Sequence, residues 1–451
     1  RQRQVALKII KLHLAEHRTA HPASAPKLNL HIGQLAVIGG GVSGLAAAWL
    51  LAPQNDVTLY EAAPRLGGHA RTVVAGRNGD QPVDTGFIVF NEVNYPHFTD
   101  MLKKLDVPVA DSNMSFGATV DRGRVEYSLQ TLNTIFGQRR NLGRPAFVGM
   151  IRDLIRFNNE AEEAADSDDV TISELVETLG LGDWFARYYL MPICGAIWST
   201  PTMDVGAFPA KTLVNFFKNH SLLGWKQHQW KTIDGGSIQY VNRLTNDLRV
   251  RGVSLRPGTP VQSVRRDPGL VTVRAQGSLP ETFDQVIFAT HSDDALRLIE
   301  NPTASEEAAL GNLNYQDNRA FLHSDSGQMP LRRRCWSSWT YKAETTGEDT
   351  QIGVTYWMNR LQNIPDNDPM FISLNPSSDI RQEAIYDEVM FRHPVFDRAA
   401  LRAQKDLKAI QGHNNTWFAG AYTRHGFHED GFASAVAIAE RIQPAQEVIA
   451  A

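Results

Sequence analysis

The hydrophobic pattern near the start of the chain predicts a strand, a tight turn, a helix and a second strand. Leu35–Ile38 is a continuous apolar run, Gly39–Gly44 is rich in glycine, and Leu45–Leu51 is rich in Ala and Leu and ends before Pro53. A short apolar run bounded by glycine is typical of a buried strand, and the Ala/Leu stretch is typical of a helix. Val57–Tyr60 is the second apolar run and completes a βαβ unit.

The remaining sequence alternates between helical and strand-like patterns. Residues 95–230 are mostly helical in pattern, whereas residues 232–295 and 315–375 are rich in predicted strands. Near its end the chain has a predicted strand, Thr416–Gly420, and a predicted amphipathic helix, Gly431–Ile442. This alternation predicts two interleaved domains rather than domains that follow one another along the chain.

The composition is that of an ordinary globular protein. The chain has 451 residues, of which 42% belong to the AVILMFWYC set, and its formal net charge is −4. This excludes a disordered or collagen-like chain, and the near-neutral charge gives no reason to expect nucleic acid as a partner. Two cysteines, Cys194 and Cys335, are too few for a disulfide framework or a cysteine-built metal site, and we predict no metal. The low cysteine content is typical of a reducing compartment and predicts a cytoplasmic location.

The first residues form a basic leader, predicted to cover 1–33. Residues 1–31 carry six Lys or Arg and one acid, Glu16. Two interpretations stay open: a disordered leader, or a basic amphipathic helix that makes peripheral contact with a membrane. The following stretch, Leu28–Asn55, has no charged residue and is long enough to span a bilayer. Because glycines interrupt it, we predict the strand, turn and helix instead.

The glycine turn and the end of the second strand form a dinucleotide-binding signature. The glycines of a G-x-G-x-x-G turn let the backbone approach a pyrophosphate, and the N-terminus of the next helix offers free N–H groups to it. An acid about 20 residues further on accepts hydrogen bonds from the adenosine ribose, and Glu61 lies 20 residues after Gly41. The predicted contacts in this unit are Gly39, Gly41, Val42, Ser43, Gly44, Glu61 and Ala62.

A second motif follows at once and indicates which dinucleotide binds. Glu61-x(3)-Arg65-x-Gly67-Gly68-x(3)-Thr72 resembles the second signature of the flavin-containing amine oxidoreductase superfamily. That superfamily includes monoamine oxidases, protoporphyrinogen oxidase and phytoene desaturases. The resemblance implies FAD as the cofactor, with Arg65, Gly67, Gly68 and Arg71 in contact with it. An arginine fork suits a phosphate, and paired glycines allow a close approach of the backbone.

Two later segments extend this resemblance. Val261 falls where members of the superfamily use a backbone amide pair on the adenine, and Gly420–Ala435 resembles their closing FAD motif. In that motif a helix N-terminus points at the pyrimidine edge of the flavin. The implied contacts are Val261, Gly420, Gly431, Phe432 and Ala433. The motif holds no cysteine, where monoamine oxidases attach their flavin, so we predict noncovalent FAD.

The resemblance also implies the architecture. It implies an α/β plus α+β fold, in which a Rossmann-like FAD-binding domain is assembled from discontinuous segments. This domain is interleaved with a substrate domain of helices and an antiparallel sheet. The predicted boundaries are 34–95, 232–295 and 405–446 for the FAD-binding domain, and 96–231 and 296–404 for the substrate domain. The oligomeric state is not predicted.

Three shorter segments resemble a narrower group, usually described as predicted NAD/FAD-binding proteins. These segments are Met191–Ser199, Tyr356–Gln362 and Gly426–Gly431. Members of the group are often encoded beside cyclopropane-fatty-acid-synthase-like methyltransferases, which implies a lipid acyl substrate and a lipid methyltransferase as a partner. The implied function is an FAD-dependent oxidoreductase, of desaturase or oxidase type, that removes hydride from a C–H bond of an apolar substrate. An amine oxidase, an isomerase without net redox change and a flavin-binding electron carrier stay open as alternatives.

The closing motif also holds the candidate catalytic residues. Tyr422 is a candidate aromatic wall, and His425 and His428 are candidates for moving a proton, because the pKa of histidine ordinarily lies near neutral pH. Hydrogen-bonded support of the loop is the alternative for each of the three. Lys211 and Lys231 are candidates for the lysine that many relatives hold near the flavin.

Two features of the predicted substrate domain point to an apolar ligand. Seven of the nine tryptophans fall between residues 180 and 360 and are candidates for lining an apolar tunnel, with core packing as the alternative. Arg332–Arg334 is a candidate for holding a carboxylate or a lipid headgroup at the mouth of that tunnel, with a solvated surface run as the alternative.

Overall fold

A computed structural model describes residues 33–443, except residues 166, 168–169, 199–205, 220–222, 224–227 and 347–348. The strands are β1 Gly33–Ile38, β2 Asn55–Tyr60, β3 Thr72–Ala75, β4 Gln81–Asp84, β5 Val109–Ser112, β6 Phe116–Val120, β7 Val125–Ser128, β8 Trp230–Ile233, β9 Ser254–Arg256, β10 Val261–Asp267, β11 Leu270–Ala275, β12 Glu281–Phe283, β13 Gln285–Phe288, β14 Tyr315–His323, β15 Trp339–Thr346, β16 Asp349–Trp357, β17 Phe371–Leu374, β18 Ile385–Pro394 and β19 Thr416–Phe418. The α-helices are α1 Val42–Leu51, α2 Pro96–Lys104, α3 Leu132–Ile135, α4 Pro145–Ala164, α5 Ile172–Thr178, α6 Asp183–Phe185, α7 Met191–Trp198, α8 Ala210–Asn219, α9 Ile238–Val250, α10 Ser292–Leu298, α11 Ala304–Gly311, α12 Met358–Leu361, α13 Arg398–Ile410 and α14 His428–Ile442.

A parallel sheet of five strands carries the predicted βαβ unit. Its order is β19-β13-β1-β2-β9, and β1 pairs in parallel with β2 on one side and with β13 on the other. Leu35 and Val37 pack in the hydrophobic cluster that contains α1, whereas Ala36 and Ile38 pack in the cluster on the opposite face. Successive strand residues point to opposite faces, so a strand covered on both sides is apolar throughout. The predicted strand–turn–helix–strand order is confirmed.

A second, larger sheet forms the other main layer. It has seven strands in the order β18-β14-β17-β16-β15-β6-β7, antiparallel except where β15 pairs with β6. The helices between residues 132 and 219 share one apolar cluster with β6, β7 and β15. These sheets confirm the α/β plus α+β fold, with a parallel sheet assembled from separate stretches of the chain. The domain boundaries given above stay a prediction.

The expectation that residues 95–230 are mostly helical is confirmed for the described residues, but the stretch has strands that the pattern did not predict. This stretch also contains β5, β6 and β7. β7 alternates apolar and polar residues, but it is only four residues long, the shortest stretch over which such alternation indicates a strand. β6 pairs with β7 on one side and with β15, more than 200 residues later in the chain, on the other, and the second pairing leaves no local pattern.

Two further expectations can be compared with the described residues. No helix in the described part of the chain is long and apolar enough to cross a membrane. Cys194 and Cys335 are both buried free thiols. Residues 1–32 of the predicted leader lie outside the described residues.

Candidate functional site

A cavity of about 800 Å³ lies between the two large sheets. One wall follows the carboxyl ends of β1, β2, β13 and β19, with Gly39, Glu61, Thr290 and Gly420 among its residues. The opposite wall carries side chains of β15 to β18, such as Trp339. Ligands of parallel α/β sheets bind at the carboxyl ends of the strands, so the cavity has the location expected of a dinucleotide site.

The glycine turn brings bare backbone to this cavity. Gly39 has a φ of +108°, and a Cβ atom there would lie 2.6 Å from the carbonyl oxygen of Ala289. A Cβ atom at Gly44 would lie 1.8 Å from the carbonyl oxygen of Gly39, so α1 packs onto the turn only because Gly44 has no side chain. Gly41, Val42 and Ser43 line the cavity. Gly44 does not line it and acts through this packing.

The N-terminus of α1 is open to an anion. Its N-cap residue, Gly41, makes no side-chain hydrogen bond to the helix, and the first turn contains no acid. A Cβ atom at Gly41 would meet only the Cα atom of Gly68, at 3.9 Å. The first N–H groups of a helix carry partial positive charge and need acceptors, which the phosphates of a dinucleotide supply.

Glu61 lies at the end of β2 and faces the cavity together with Ala62. One carboxylate oxygen accepts a hydrogen bond from Gly40 N at 2.6 Å, and the other accepts from Ala63 N at 2.7 Å. Each oxygen of a carboxylate has two acceptor positions, so both can accept a further hydroxyl. The residue therefore fixes the glycine turn and can also receive a ribose.

The structure places the two predicted phosphate arginines away from the cavity wall. Arg65 donates to the carbonyl oxygens of Gly68, at 2.8 Å, and Ala70, at 3.3 Å. Arg71 donates to both carboxylate oxygens of Asp387, at 2.6 and 3.0 Å. Neither lines the cavity. Both brace the loop that presents Gly68, so their predicted contact with FAD stays a prediction.

The glycine pair between these arginines packs closely. Gly67 has a φ of +112°, and its N–H donates to the carbonyl oxygen of Gly40 at 2.8 Å. Gly68 lines the cavity, whereas Gly67 does not. A Cβ atom at Gly68 would lie 2.9 Å from the Cα atom of Gly41, so the two glycine loops touch backbone to backbone. Val261, at the start of β10, lines the same cavity.

The closing motif faces the cavity mainly through its loop, and His428 at the start of α14 also lines it. Gly420 lines the cavity, but Gly431, Phe432 and Ala433 do not. A Cβ atom at Gly431 would lie 2.7 Å from Ser43 Oγ, so this glycine lets α14 approach α1 closely. Phe432 is buried in the cluster that contains α1. The first turn of α14 contains two acids, which weakens the positive helix end expected to face the flavin.

The three candidate catalytic residues have different environments, although all line the cavity. Tyr422 is buried, and its hydroxyl has no hydrogen-bond partner among the described residues. His425 is exposed. His428 is buried, stacks on Phe87 with ring centroids 3.9 Å apart, and its Nε2 lies 2.7 Å from the Tyr240 hydroxyl.

The prediction that His428 moves a proton rests on a histidine pKa near neutral pH, and burial changes that pKa. The buried position lowers its pKa to about 3, so the ring stays neutral near pH 7 instead of titrating there. Its stacking and its hydrogen bond support the loop, which was the alternative for this residue. Glu429, beside it, accepts from the N–H groups of His97 and Phe98 at the start of α2.

Three histidines outside the predicted set form a cluster on the cavity wall: His69, His291 and His393. The ring of His69 lies 6.0 Å from that of His291 and 5.6 Å from that of His393, measured between centroids. Burial lowers the pKa of His69 to about 3 and that of His393 to about 4, and burial also lowers the pKa of His291. These rings are therefore neutral near pH 7.

A sequence signal existed for two of these histidines. His69 directly follows the Gly67-Gly68 pair, and His291 lies just beyond the end of β13, at the edge where the parallel sheet binds ligands. His393 lies near the end of β18. Because β18 pairs with β14 in the other sheet, only the fold brings His393 to the first two.

Three cavity-lining residues carry buried polar atoms without a partner in the described part of the protein. These atoms are His69 Nε2, Trp339 Nε1 and Tyr422 Oη. A buried polar atom without a partner is costly, so its presence at a cavity wall indicates a ligand that supplies one. Together with the open glycine cradle and the uncapped helix N-terminus, these atoms fit a cavity that holds a bound dinucleotide.

The lysine and arginine candidates do not line the cavity, whereas two of the tryptophan candidates do. Neither Lys211 nor Lys231 lines the cavity, and Lys231 lies 3.4 Å from a carboxylate oxygen of Asp111. None of Arg332–Arg334 lines it. Of the tryptophans between residues 180 and 360 whose side chains the structure describes, Trp230 and Trp339 line the cavity, and Trp198 and Trp225 fall outside the described side chains.

The fold and the site define a class of protein. A parallel sheet with a glycine turn, an uncapped helix and a ribose-facing carboxylate is the construction of dinucleotide-dependent oxidoreductases. The flavin-containing amine oxidoreductase family matches residues 42–363, more than half of the chain, and the protein belongs to that family. It is therefore an FAD-dependent oxidoreductase that acts on a small-molecule substrate.

Solved structures share this fold at low sequence identity. A CLA-producing fatty acid isomerase from P. acnes is 13% identical, with a TM-score of 0.64 over 91% of this chain and 98% of its own. Cyclohexylamine oxidase from Brevibacterium oxydans IH-35A is 16% identical, with a TM-score of 0.64 over 91% and 100%. A putrescine oxidase bound to putrescine is 15% identical, with a TM-score of 0.63 over 91% and 98%. No curated protein matches the chain by sequence.

Proposed function

We propose that the protein removes hydride from a C–H bond of an apolar, lipid acyl substrate, with noncovalently bound FAD as the acceptor. The supporting observation is the wall of the cavity opposite the glycine turn. It is made largely of apolar and aromatic side chains from several elements, namely Met114, Phe116, Ile193, Trp339, Tyr356, Leu374, Phe391 and Phe396. Such a wall binds an acyl chain by removing its surface from water.

The residues at the other wall suit the cofactor. The N–H groups at the start of α1 would hold the pyrophosphate, and Glu61 would accept from the ribose. Gly68 and Val261 would bring backbone close to the dinucleotide. When bound, FAD supplies the hydride acceptor for the oxidation.

The histidine cluster suits an uncharged reacting region. Neutral imidazoles donate or accept hydrogen bonds without placing a positive charge beside an apolar chain. The nearby charges are paired with one another: Arg392 lies 2.6 Å from Asp293, and Arg297 lies 2.8 Å from Asp294. The lining therefore offers polar atoms to a substrate without a free charge among these four residues.

The experiment is anaerobic mixing of the purified FAD-loaded protein with a bacterial lipid extract and, separately, with a panel of primary amines. The expected result is loss of the visible flavin absorbance with lipid and a new double bond in the recovered acyl chains, because one carbon gives its hydride to FAD and its neighbour releases a proton to water. Bleaching by amines alone contradicts the lipid substrate and favours an amine oxidase. A moved double bond without net bleaching favours an isomerase, the activity named for the P. acnes structure.

A pair of variants separates cofactor loss from substrate loss. Leu374→Asp places a charge in the apolar wall, and we expect normal FAD content with at least about tenfold slower bleaching by lipid. Leu279→Asp changes an exposed leucine elsewhere and should leave the rate unchanged. An unchanged rate in Leu374→Asp would contradict the assigned wall. The lipid methyltransferase stays the proposed partner, to be tested by copurification.

A further inference from the structure

An arginine-rich surface with exposed apolar side chains lies outside the cavity. From Tyr127 to Arg152 the sequence contains four arginines and no Asp, Glu or Lys. The structure places this segment from β7 through α3 into the first half of α4. We call it the arginine surface, and it includes Arg124 and the adjoining loop 331–334.

Large apolar side chains project from the arginine surface. Five of them are between 43% and 76% exposed: Leu132, Leu142, Val148, Ile155 and Leu331. Val148 and Ile155 lie on the outer side of α4, with Arg152 between them, whereas Phe147 and Met150 face the core. A group of exposed apolar side chains on one surface indicates an interaction site, because single exposed residues scatter over a surface.

Arg124, Arg140 and Arg144 lie close together on this surface, and neither Arg140 nor Arg144 forms an ion pair with an acid among the described residues. Arg140 Nη2 and Arg144 Nη1 both donate to the carbonyl oxygen of Arg124, at 2.6 and 2.8 Å. Burial and the positive charges of Arg140 and Arg124 lower the pKa of Arg144. The guanidinium groups therefore repel one another and would gain from an anion placed over them.

Three acids lie close to the arginine surface, and two of them are buried. Glu126 is fully buried and accepts from Arg332 at 2.6 Å. Asp153 is buried and accepts from Gly182 N at 3.0 Å. Asp121 lies 3.9 Å from Arg124, at the edge of the surface.

The loop 331–334 adds to this surface. A Cβ atom at Gly123 would lie 2.8 Å from Leu331 Cδ1, and one at Gly137 would lie 3.4 Å from Arg334 Cβ, so the loop packs directly beside the segment. Arg333 stacks over Trp336, with 3.9 Å from its guanidinium carbon to the ring centroid. Arg334 is exposed.

We propose that the arginine surface docks the protein on an anionic lipid membrane. Arginine binds lipid phosphates, and leucine, valine and isoleucine side chains enter the boundary between headgroups and acyl chains. A purely polyanionic partner would use the arginines but not the apolar side chains, and a purely apolar partner would not use the arginines. The chain as a whole carries a net charge of −4, so attraction to an anionic surface comes from this local arrangement. The inference does not depend on the substrate proposed above.

The test is cosedimentation of the full chain, loaded with FAD, with phosphatidylcholine vesicles and with vesicles that also contain about 30% phosphatidylglycerol. We expect at least about tenfold stronger partitioning onto the anionic vesicles, weakened by added salt. Equal partitioning onto both kinds of vesicle, or none onto either, would overturn the proposal.

Matched variants assign the binding to this surface rather than to the basic leader. Leu142→Asp with Val148→Asp, and separately Arg152→Glu with Arg334→Glu, should each reduce partitioning at least about tenfold. The controls are Leu279→Asp with Val250→Asp, and Arg274→Glu, which change exposed residues elsewhere. Unchanged partitioning of the surface variants would overturn the proposal.

Two measurements distinguish other occupants of the surface. Light scattering after gel filtration would reveal a dimer that the Leu142→Asp/Val148→Asp variant dissolves, which would assign the surface to a second copy of the chain. Binding to an RNA oligonucleotide but not to anionic vesicles would also contradict the proposal. Equal FAD content in every variant shows that each has folded.

Discussion

At the scale of single residues, Glu61 connects the glycine turn with the cavity. Its two carboxylate oxygens hold the N–H groups of Gly40 and Ala63, and the side chain faces the cavity. Hydrogen bonds to charged groups contribute about 1.5–3 kcal/mol each. The loss of this carboxylate therefore affects FAD directly and also through the shape of the turn.

Glu61→Ala should bind FAD at least about tenfold more weakly, measured by titration of flavin fluorescence. Glu61→Gln keeps one acceptor oxygen and should lose less. Asp56→Ala removes an exposed acid from the same strand and serves as the control. Equal FAD affinity in Glu61→Ala and wild type would show that the ribose contact is wrong.

His428 should make stability depend on pH. Its pKa in the folded protein is lowered from 6.5 to about 3 by burial, so below pH 6.5 the unfolded chain binds a proton that the folded chain does not. The stabilisation is complete above pH 6.5 and is lost progressively as the pH falls toward 3. Relative to His428→Gln, the wild type should therefore lose its advantage in the free energy of unfolding between pH 6.5 and 4.

Urea unfolding at a series of pH values measures this difference. His413→Gln, a change at an exposed histidine, is the control and should follow the wild-type curve. A gap between wild type and His428→Gln that stays constant across this pH range would contradict the buried, neutral state of His428.

At the scale of elements, a partly buried ion pair joins the loop after β2 to the strand β18. Arg71 and Asp387 form two parallel hydrogen bonds, and Arg71 also donates to Thr85 at 3.2 Å. A planar pair of this kind holds two elements in a defined orientation. It connects the glycine loop of the FAD site with the sheet that forms the apolar wall.

Arg71→Ala and Asp387→Ala should each destabilise the protein, and the double variant should lose less than the sum, with a coupling of about 1 kcal/mol. The measurement is a double-mutant cycle from urea unfolding of the FAD-free protein. If Arg71 instead holds FAD directly, Arg71→Ala weakens FAD binding while Asp387→Ala does not. Equal effects of both variants on FAD affinity support the bracing role.

At the scale of the whole molecule, the parallel sheet draws strands from residues 33 to 418, and the antiparallel sheet draws its strands from the stretches between them. From Gly33 onward the chain forms one compact unit. The parallel sheet contains β1 and β19, the first and the last strand of the described residues, so it cannot form from a local piece of the chain. Folding of the sheets should therefore be coupled.

Unfolding in urea should show one transition, with far-ultraviolet circular dichroism and release of flavin fluorescence coinciding. Added FAD should raise the midpoint, because it binds only the folded protein. Two separate transitions would contradict this coupling and would favour two independently stable domains.

Much of the FAD side of the site could be predicted from the sequence because its signals are local. Gly39 has a positive φ, Gly44 packs onto the carbonyl group of Gly39, and Glu61 follows the next strand. The same motifs led to Arg65 and Arg71, whose partners in the folded chain are carbonyl groups and a distant carboxylate. A motif specifies which residue is present, but the surrounding elements decide which groups its side chain contacts.

The sequence by itself determined the βαβ unit, because periodicity and glycine spacing are properties of neighbouring residues. The fold class and FAD followed from the resemblance of its motifs to the flavin-containing amine oxidoreductase superfamily. Only the tertiary structure decided the rest. It brought His69, His291 and His393 to one wall, and burial there lowers their pKa values. It also gathered exposed arginines and apolar side chains outside the cavity. Such proximity depends on pairings between distant strands, which leave no pattern along the chain.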